Sequence, residues 1–305
     1  MSRFIKRVLG YTLPVLGLIV LAEVLLRHIP NDYAYKKNYL DKHAGEIEVL
    51  ILGNSHDYYG FDPTLFKLKT FNAAYASQSL NFDWEILKRY EGKLKNLRFI
   101  VLPADYFTLT SSLENGEEKW RIKDYNIYYD ISLNASFTDN FEVFTGKTQS
   151  KLVRLKNYYL SKKKLVQCNK LGFGSGFHSS HGMDLEKTGK LAAKRHTWVK
   201  GKVNSFDKNT QLIHQFEAFA VKHKVQLIFV ASPVYETYSK PLNKSQLQRT
   251  HGFFKLQAIK NKLVHYYNFM NDTRFKAEDF YDGDHLNEKG AAKFSGIVDS
   301  LIQTL

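Results

Sequence analysis

Short runs of apolar, β-favouring residues recur along the chain with helical periodicity between them. Val49-Leu50-Ile51-Leu52 and Phe99-Ile100-Val101-Leu102 are continuous apolar runs, as in strands covered on both faces. Val225 to Ala231 repeats the pattern, Val264 to Phe269 reads as a last strand, and Thr70-Phe71-Asn72 as a short one after the first. Between them Leu80, Trp84, Leu87 and Leu94 fall at helical spacing, as do Leu212, Phe216 and Phe219 within Gln211–Lys222. Gln246 to Leu263 predicts a further helix. Asn287 is placed to cap a final one carrying Ala291, Ala292, Phe294 and Ile297. Strands separated by helices at this spacing imply parallel pairing with right-handed crossovers, hence an α/β fold of the doubly wound type.

Two segments fall outside the alternation. Residues 108–205 lose it, offering scattered aromatics, the run Lys162-Lys163-Lys164 and the glycine-rich Gly172-Phe173-Gly174-Ser175-Gly176. This stretch is expected to be an insertion of helical and irregular structure in a domain spanning residues 45–305. Its glycines lack the lysine-serine ending of a P-loop and read as a surface loop. At the other exception, Val8 to Leu26 is apolar over a bilayer-spanning length, follows Arg3, Lys6 and Arg7, and is interrupted by Pro14 and Glu23. Residues 1–30 are therefore expected to be an uncleaved membrane anchor with a cytoplasmic N-terminus. Residues 31–44 would be a juxtamembrane linker, and the remainder would lie outside the cytoplasm. A cleaved signal peptide is the alternative, disfavoured by the length of the run and the lack of a clear small-x-small site.

Composition adds limits. The 305 residues suit one large or two ordinary domains, and the net charge of +14 raises a nucleic-acid partner. No nucleic acid is expected, because the lysines are dispersed without a zinc-ligand or helix-turn-helix pattern. A basic surface facing anionic lipid or polymer accounts for the charge. Cys168 is the single cysteine, which rules out an intramolecular disulfide and a cysteine-based metal site. His178 and His181 are three apart but lack an acidic cluster, so no metal is assigned to them.

The first apolar run delivers Gly53-Asn54-Ser55-His56-Asp57, and the chain before the last helix reads Asp282-Gly283-Asp284-His285-Leu286-Asn287. In an open parallel sheet both loops belong at the carboxyl edge, where such folds place their chemistry. A serine hydroxyl needs a base to become a nucleophile, and imidazole held by a carboxylate supplies one. Ser55, His285 and Asp282 make that set. Asp284 is the rival orienter, but a residue adjacent to His285 is poorly placed to reach its ring nitrogen.

Together, Gly53-Asn54-Ser55-His56 after a strand and Asp282-x-x-His285-x-Asn287 before the terminal helix resemble the first and last blocks of the SGNH (GDSL) hydrolase superfamily. The nearest likeness is to its membrane-anchored bacterial envelope branch, DltD-like and alginate O-acetylation-type proteins. The resemblance spans roughly residues 45–110 and 205–305. It implies a flavodoxin-like three-layer α/β/α sandwich and an acyl-transfer triad on Ser55, His285 and Asp282. It also implies an oxyanion hole built from the Ser55 N–H and two further donors. This chain departs from the family there. The second block is Asn72-Ala73-Ala74-Tyr75-Ala76-Ser77-Gln78-Ser79, with alanine in place of glycine, and Pro103-Ala104-Asp105-Tyr106 stands where Gly-x-Asn-Asp is expected. Ala74, Gln78 and Asn54 are the substitutes considered.

His56 beside the nucleophile, His196 beside Arg195, and Tyr235 after Ser232-Pro233 are candidates for lining the substrate site. The resulting expectation is an extracytoplasmic serine esterase or acyltransferase acting on O-acyl groups, acetyl above all, of an envelope carbohydrate. It would need no metal or organic cofactor, and a multi-span acyltransferase would be its partner if it transfers. The alternative is a non-catalytic envelope protein of the same fold that binds polymer or scaffolds an acyltransferase complex.

Overall fold

The apolar runs pair side by side. In the computed structural model, which describes residues 3–133 and 135–305, the strands are β1 (Val49–Ile51), β2 (Thr70–Asn72), β3 (Phe99–Pro103), β4 (Gln226–Ala231) and β5 (Val264–Asn268). They form one all-parallel sheet in the order β2-β1-β3-β4-β5. That is the flavodoxin-like order, and its direction reverses between β1 and β3, so the loop after β1 opens into the crevice where such sheets bind ligands. The helices are α1 (Arg3–Arg27), α2 (Asp32–His43), α3 (Ser55–Gly60), α4 (Leu80–Tyr90), α5 (Ile122–Tyr128) and α6 (Thr148–Leu155). After them come α7 (Leu185–His196), α8 (Phe206–His223), α9 (Glu236–Ser239), α10 (Lys244–Lys260) and α11 (Glu288–Ile302).

Register makes the layers. Val49 lies opposite Phe99, and Ile51 opposite Val101, so alternate residues of neighbouring strands share a face. Val49, Ile51, Phe99, Val101, Ile228 and Val230 point to the face covered by α11, where Phe294 and Val298 meet them. Phe229 points the other way, against Phe254 of α10, with ring centroids 4.8 Å apart. Such Phe side chains each contribute about 1.5–3 kcal/mol by leaving water, and burial on both faces explains why the strands read as continuous apolar runs. The α8 helix starts five residues earlier than its periodicity suggested, since Phe206 to Thr210 carry polar residues that the apolar spacing does not register.

The described residues group into two compact units, one of Met1–Lys37 with Lys119–Gln167, the other of Asn38–Glu118 with Cys168–Leu305. Residues 108–205 are thus divided between them. The first unit contains α1, the one described helix long and apolar enough to cross a membrane, with a mean hydropathy of 2.1 in its best window. Its interior holds Glu142, bound by Lys123 at 3.0 Å and by Arg154 at 3.0 Å. Although burial opposes the charge, Lys123 and Arg154 hold Glu142 down to about 2.

In the second unit the glycine-rich stretch is packed rather than loose. Leu171 O accepts the Asn72 N–H at 2.9 Å, Gly174 N–H donates to Tyr58 O at 2.9 Å, and Phe173 is buried. The stretch spends its backbone hydrogen bonds on the edge of β2 and on α3. No apolar periodicity could have signalled that.

Candidate active site

Gly53 ends the first strand's loop in a conformation that only glycine adopts readily. Its φ is +129°, and a Cβ there would lie 2.2 Å from Asp57 Oδ2 and 2.7 Å from Pro103 Cδ. Asn54 then caps α3. Its side chain accepts the His56 N–H at 2.8 Å while Asp57 Oδ2 accepts the Asn54 N–H at 3.0 Å, a reciprocal capping box. This puts Ser55 on the first turn of α3, at the carboxyl end of β1. Among the described residues its N–H meets no acceptor.

The other half of the site is a tight turn before α11. Asp282 Oδ1 accepts the N–H groups of Asp284 at 3.0 Å and His285 at 2.8 Å, which fixes the carboxylate beside the imidazole. His285 Nδ1 lies 2.9 and 3.1 Å from the two Asp282 oxygens, and Nε2 lies 2.8 Å from Ser55 Oγ. Asp284 comes no closer to Nδ1 than 3.5 Å. With Nδ1–H donating to Asp282, Nε2 is the nitrogen left to accept the Ser55 proton, the arrangement of a nucleophile, a general base and its orienter. Asn287 caps α11 through Lys289 and Gly290 N–H at 2.9 and 3.1 Å, so the turn is pinned at both ends.

Helix α7 braces that turn. A Cβ on Gly283 would fall 2.2 Å from Gly189 Cα, and Gly283 N–H donates to Thr188 Oγ1 at 2.9 Å. Gly189 is confined on another side, where a Cβ would fall 2.3 Å from Thr237 Oγ1 and 2.8 Å from Tyr238 N of α9. The α7 helix carries Arg195 and His196 at its end. His196 Nδ1 pairs with Tyr238 OH at 2.9 Å, and its ring packs on Phe107 with centroids 4.0 Å apart. Burial pushes His196 down to about 3, against the pull of Asp284, so it is neutral.

His56, expected at the pocket wall, is 4 % exposed and points inward. Its Nδ1 lies 3.1 Å from Asp105 Oδ2 and its Nε2 lies 3.5 Å from Asp284 Oδ2. Burial opposes its charge, but Asp105 and Asp284 outweigh it and bring His56 up to about 10. Burial likewise works against both carboxylates, yet His56 holds Asp105 below the usual carboxylate range, and His285 and His56 hold Asp284 far below it. Asp105, His56 and Asp284 thus form a buried series of ion-pair contacts beneath Ser55 and His285, with neither His56 nitrogen hydrogen-bonded among the described residues, joining the loop after β3 to the turn before α11. Sequence reasoning missed it, because Asp105 registered only as the wrong residue in a block and Asp284 only as a rival to Asp282.

The remaining candidates are accounted for by hydrogen bonds. Asn54 Nδ2 donates to Asp105 Oδ2 at 2.9 Å, and Gln78 Nε2 to Asp83 Oδ1 at 2.6 Å. The Ala74 N–H donates to Asn72 Oδ1 at 3.0 Å. The Ala74 N–H is thereby taken, Gln78 Nε2 spends its second N–H on Ala73 O at 3.3 Å, and Asn54 Nδ2 spends one of its two. Tyr235 gives its ring to Phe280 and the core, with centroids 5.7 Å apart, and its N–H to Gly283 O. Three rings stand near the triad that no motif announced. Tyr59, Phe177 and Tyr281 stack in series at 3.7 and 4.0 Å, with Phe177 edge-on to His285 at 5.3 Å.

Among the described residues, His56, Asp284 and His285 are the group whose ligating atoms, within 4.8 Å of one another, have the types a metal takes. Of these atoms His285 Nε2 is taken by Ser55 Oγ at 2.8 Å, while His56 Nε2 and Asp284 Oδ2 face each other at 3.5 Å without a hydrogen bond.

No family model and no curated protein matches the sequence. Similar solved structures include a candidate acylhydrolase from Bacteroides fragilis NCTC 9343, at 10% identity and TM-score 0.41, covering 87% of this chain and 95% of that one. A candidate platelet activating factor from Streptococcus pneumonia aligns at 11% identity and TM-score 0.42, over 97% and 98% of the two chains. A GDSL-like lipase from Bacteroides thetaiotaomicron VPI-5482 aligns at 10% identity and TM-score 0.40, over 90% and 100%. At that similarity none of them bears on chemistry or substrate.

Proposed function

We propose that the chain is a serine acyl-transfer enzyme, an esterase or an O-acyltransferase of SGNH type. One observation carries this: Ser55 Oγ, His285 and Asp282 form an unbroken hydrogen-bonded series, 2.8 Å and then 2.9 Å. Ser55 attacks an ester carbonyl as His285 Nε2 takes its proton. The tetrahedral oxyanion is held by the Ser55 N–H at the start of α3, the proton passes to the departing alkoxide, and an acyl-Ser55 ester remains. Water or a sugar hydroxyl, deprotonated by the same nitrogen, resolves it. The apolar α1 preceded by Arg3, Lys6 and Arg7 supports anchoring in the cytoplasmic membrane with the catalytic unit on the far side. The acceptor or substrate we assign is an O-acetylated envelope glycan, with a multi-span acyltransferase as donor partner if the reaction runs as transfer.

The same fold serving as a non-catalytic scaffold has one observation in its favour: among the described residues the Ala74 N–H and Gln78 Nε2 are engaged and Asn54 Nδ2 has one of its two N–H groups on Asp105, which leaves the Ser55 N–H as the open backbone donor of the first loop. Treating the full-length protein with a fluorophosphonate probe and an aryl acetate separates the two. Labelling and turnover lost in Ser55→Ala and in His285→Ala are expected of the enzyme; an unlabelled wild-type Ser55 with full cellular function in Ser55→Ala means the scaffold.

A further inference from the structure

The first unit presents an apolar and basic surface at the end of α1 that the catalytic reading leaves unused. Glu23, the one acidic residue in the apolar run, is turned away from any lipid. Its carboxylate accepts the N–H groups of Glu142 at 3.1 Å and Val143 at 3.0 Å, as well as the Arg27 Nε–H at 2.6 Å. Arg27 also donates to Asn140 O, and Tyr159 OH to Leu25 O at 2.9 Å. Residues 137–144 and 156–160 are thereby fixed at the last turns of α1, where a spanning helix leaves the hydrocarbon.

At that level the surface is unlike that of a soluble protein. Phe137 (78 %), Leu160 (76 %), Leu152 (61 %), Phe144 (54 %) and Val153 (49 %) are exposed. Phe137, Phe141 and Phe144 cluster with ring centroids 5.3 and 5.4 Å apart. From Val143 to Gln167 the chain has seven lysines and arginines and no acidic residue. Of these, Lys147, Lys156 and Lys162-Lys163-Lys164 are exposed. Aromatic rings, aliphatic side chains and lysines combined in this way, continuous with a membrane helix, match the two-part chemistry of a bilayer interface, with acyl chains to take the apolar groups and anionic headgroups to take the cations.

We propose that this surface, centred on Phe137, Phe144, Leu152, Leu160 and Lys162–Lys164, beds into the anionic phospholipid headgroup layer where α1 emerges, so that the first unit is held by the membrane surface as well as by the helix. The proposal rests on α1 spanning the bilayer. The experiment therefore reads both. Leu16→Cys, Phe144→Cys and Leu160→Cys would each be spin-labelled in the full-length protein with the buried Cys168 replaced by Ala, and reconstituted in phosphatidylcholine bilayers with or without phosphatidylglycerol. Relative accessibility to oxygen and to a water-soluble nickel chelate gives immersion depth.

Position 16 should read deep in both lipids. Positions 144 and 160 should read at headgroup depth, more strongly with phosphatidylglycerol. Changing Lys162, Lys163 and Lys164 to Gln should lower the ratio of immersed to free surface by about fivefold per lysine, in the anionic bilayer only. If position 16 reads as water, the anchor falls and this inference with it. If position 16 reads deep while 144 and 160 are as open to nickel as a solvent-exposed label, the inference alone is overturned. If 144 and 160 are closed to nickel and oxygen alike, a protein partner covers the patch instead of lipid, which also overturns it.

Discussion

Replacing Asp282 by Asn tests the proposed chemistry most directly, because the turn's own geometry fixes how the amide must sit. Asp282 Oδ1 already accepts two backbone N–H groups, at 2.8 and 3.0 Å, so the asparagine carbonyl oxygen is required there. Its NH2 then takes the place of Oδ2, which lies 3.1 Å from His285 Nδ1. The carboxylate charge that held the proton on Nδ1 is then gone, and an N–H at 3.1 Å competes with the amide oxygen at 2.9 Å, which shifts the balance toward the tautomer with the proton on Nε2. That nitrogen then presents a proton to Ser55 Oγ instead of accepting one. Loss of the correct tautomer with geometry intact costs about ten-thousandfold in triad enzymes, about 5 kcal/mol of barrier. The substrate need not be known, since the second-order rate of Ser55 phosphonylation by a fluorophosphonate reports the same proton transfer. Asp284→Asn is the companion: its carboxylate lies 3.5 Å from Nδ1 against 2.9 Å for Asp282, so the triad predicts a loss at least about tenfold smaller than in Asp282→Asn, what remains reflecting its ion pair with His56. A loss under tenfold in Asp282→Asn, or equal losses in the two variants, would refute the assignment of Asp282 as orienter.

Replacing His56 by Leu strands Asp105 and Asp284 as buried carboxylates and should lower stability by about 3–5 kcal/mol in denaturant titration, with His56→Gln losing less. Because folding raises the His56 pKa to about 10, its stabilisation is whole below its unfolded value and drains as pH rises through 10. The melting temperature of the wild type should therefore fall more steeply on that limb than that of His56→Gln. Asp83 has the same sign in a lower pH window. Burial raises it to about 7 against the hydrogen bonds from Gln78 and Gly53, so the folded protein loses stability as pH rises from about 4 to 7. Asp83→Asn, which keeps an acceptor for both donors, should flatten that slope and raise the melting temperature at pH 8. Gly283→Ala forces α7 off the turn, since its Cβ would lie 2.2 Å from Gly189 Cα; it should slow Ser55 phosphonylation by about tenfold or more while far-ultraviolet dichroism is kept.

What could be read from the sequence follows the range of the forces involved. Strands and helices announce themselves because burial on two faces or one demands a local pattern, so β1 through β5 and the cap at Asn287 were legible. The pairing of Ser55 with His285 was legible from topology alone, since a parallel sheet brings the ends of its strands to one edge. The division of residues 108–205 between two units was not. Lys123, Glu142 and Arg154 find one another over separations no periodicity records, and a buried ion group looks in sequence like ordinary surface charge. The same blindness hides the role of His56, whose place beside Ser55 in the chain points instead to the pocket wall.

That hidden chain has a consequence for how the site is kept in register. In the proposed reaction Ser55 and His285 come from segments 230 residues apart, and the one direct link between their side chains is a 2.8 Å hydrogen bond that each catalytic cycle would break and re-form. Something else has to hold the two loops while it is broken. Asp105–His56–Asp284 does so from below: His56 adjoins Ser55 in the chain, Asp284 adjoins His285, and neither carboxylate is spent on the triad. A buried charge pair contributes little net stability once desolvation is counted, but it fixes geometry sharply, because any displacement leaves a charge unpaired in a dry interior. The capping box at Asn54 and the Gly189–Gly283 contact constrain each loop separately, and His56 constrains one against the other. The nearby Gly53 N–H is likewise taken by Asp83 at 2.7 Å, which leaves the Ser55 N–H as the open backbone donor on that loop. The loop is thus rigid on every side except the one that faces the reacting carbonyl, as preorganised stabilisation of an oxyanion requires.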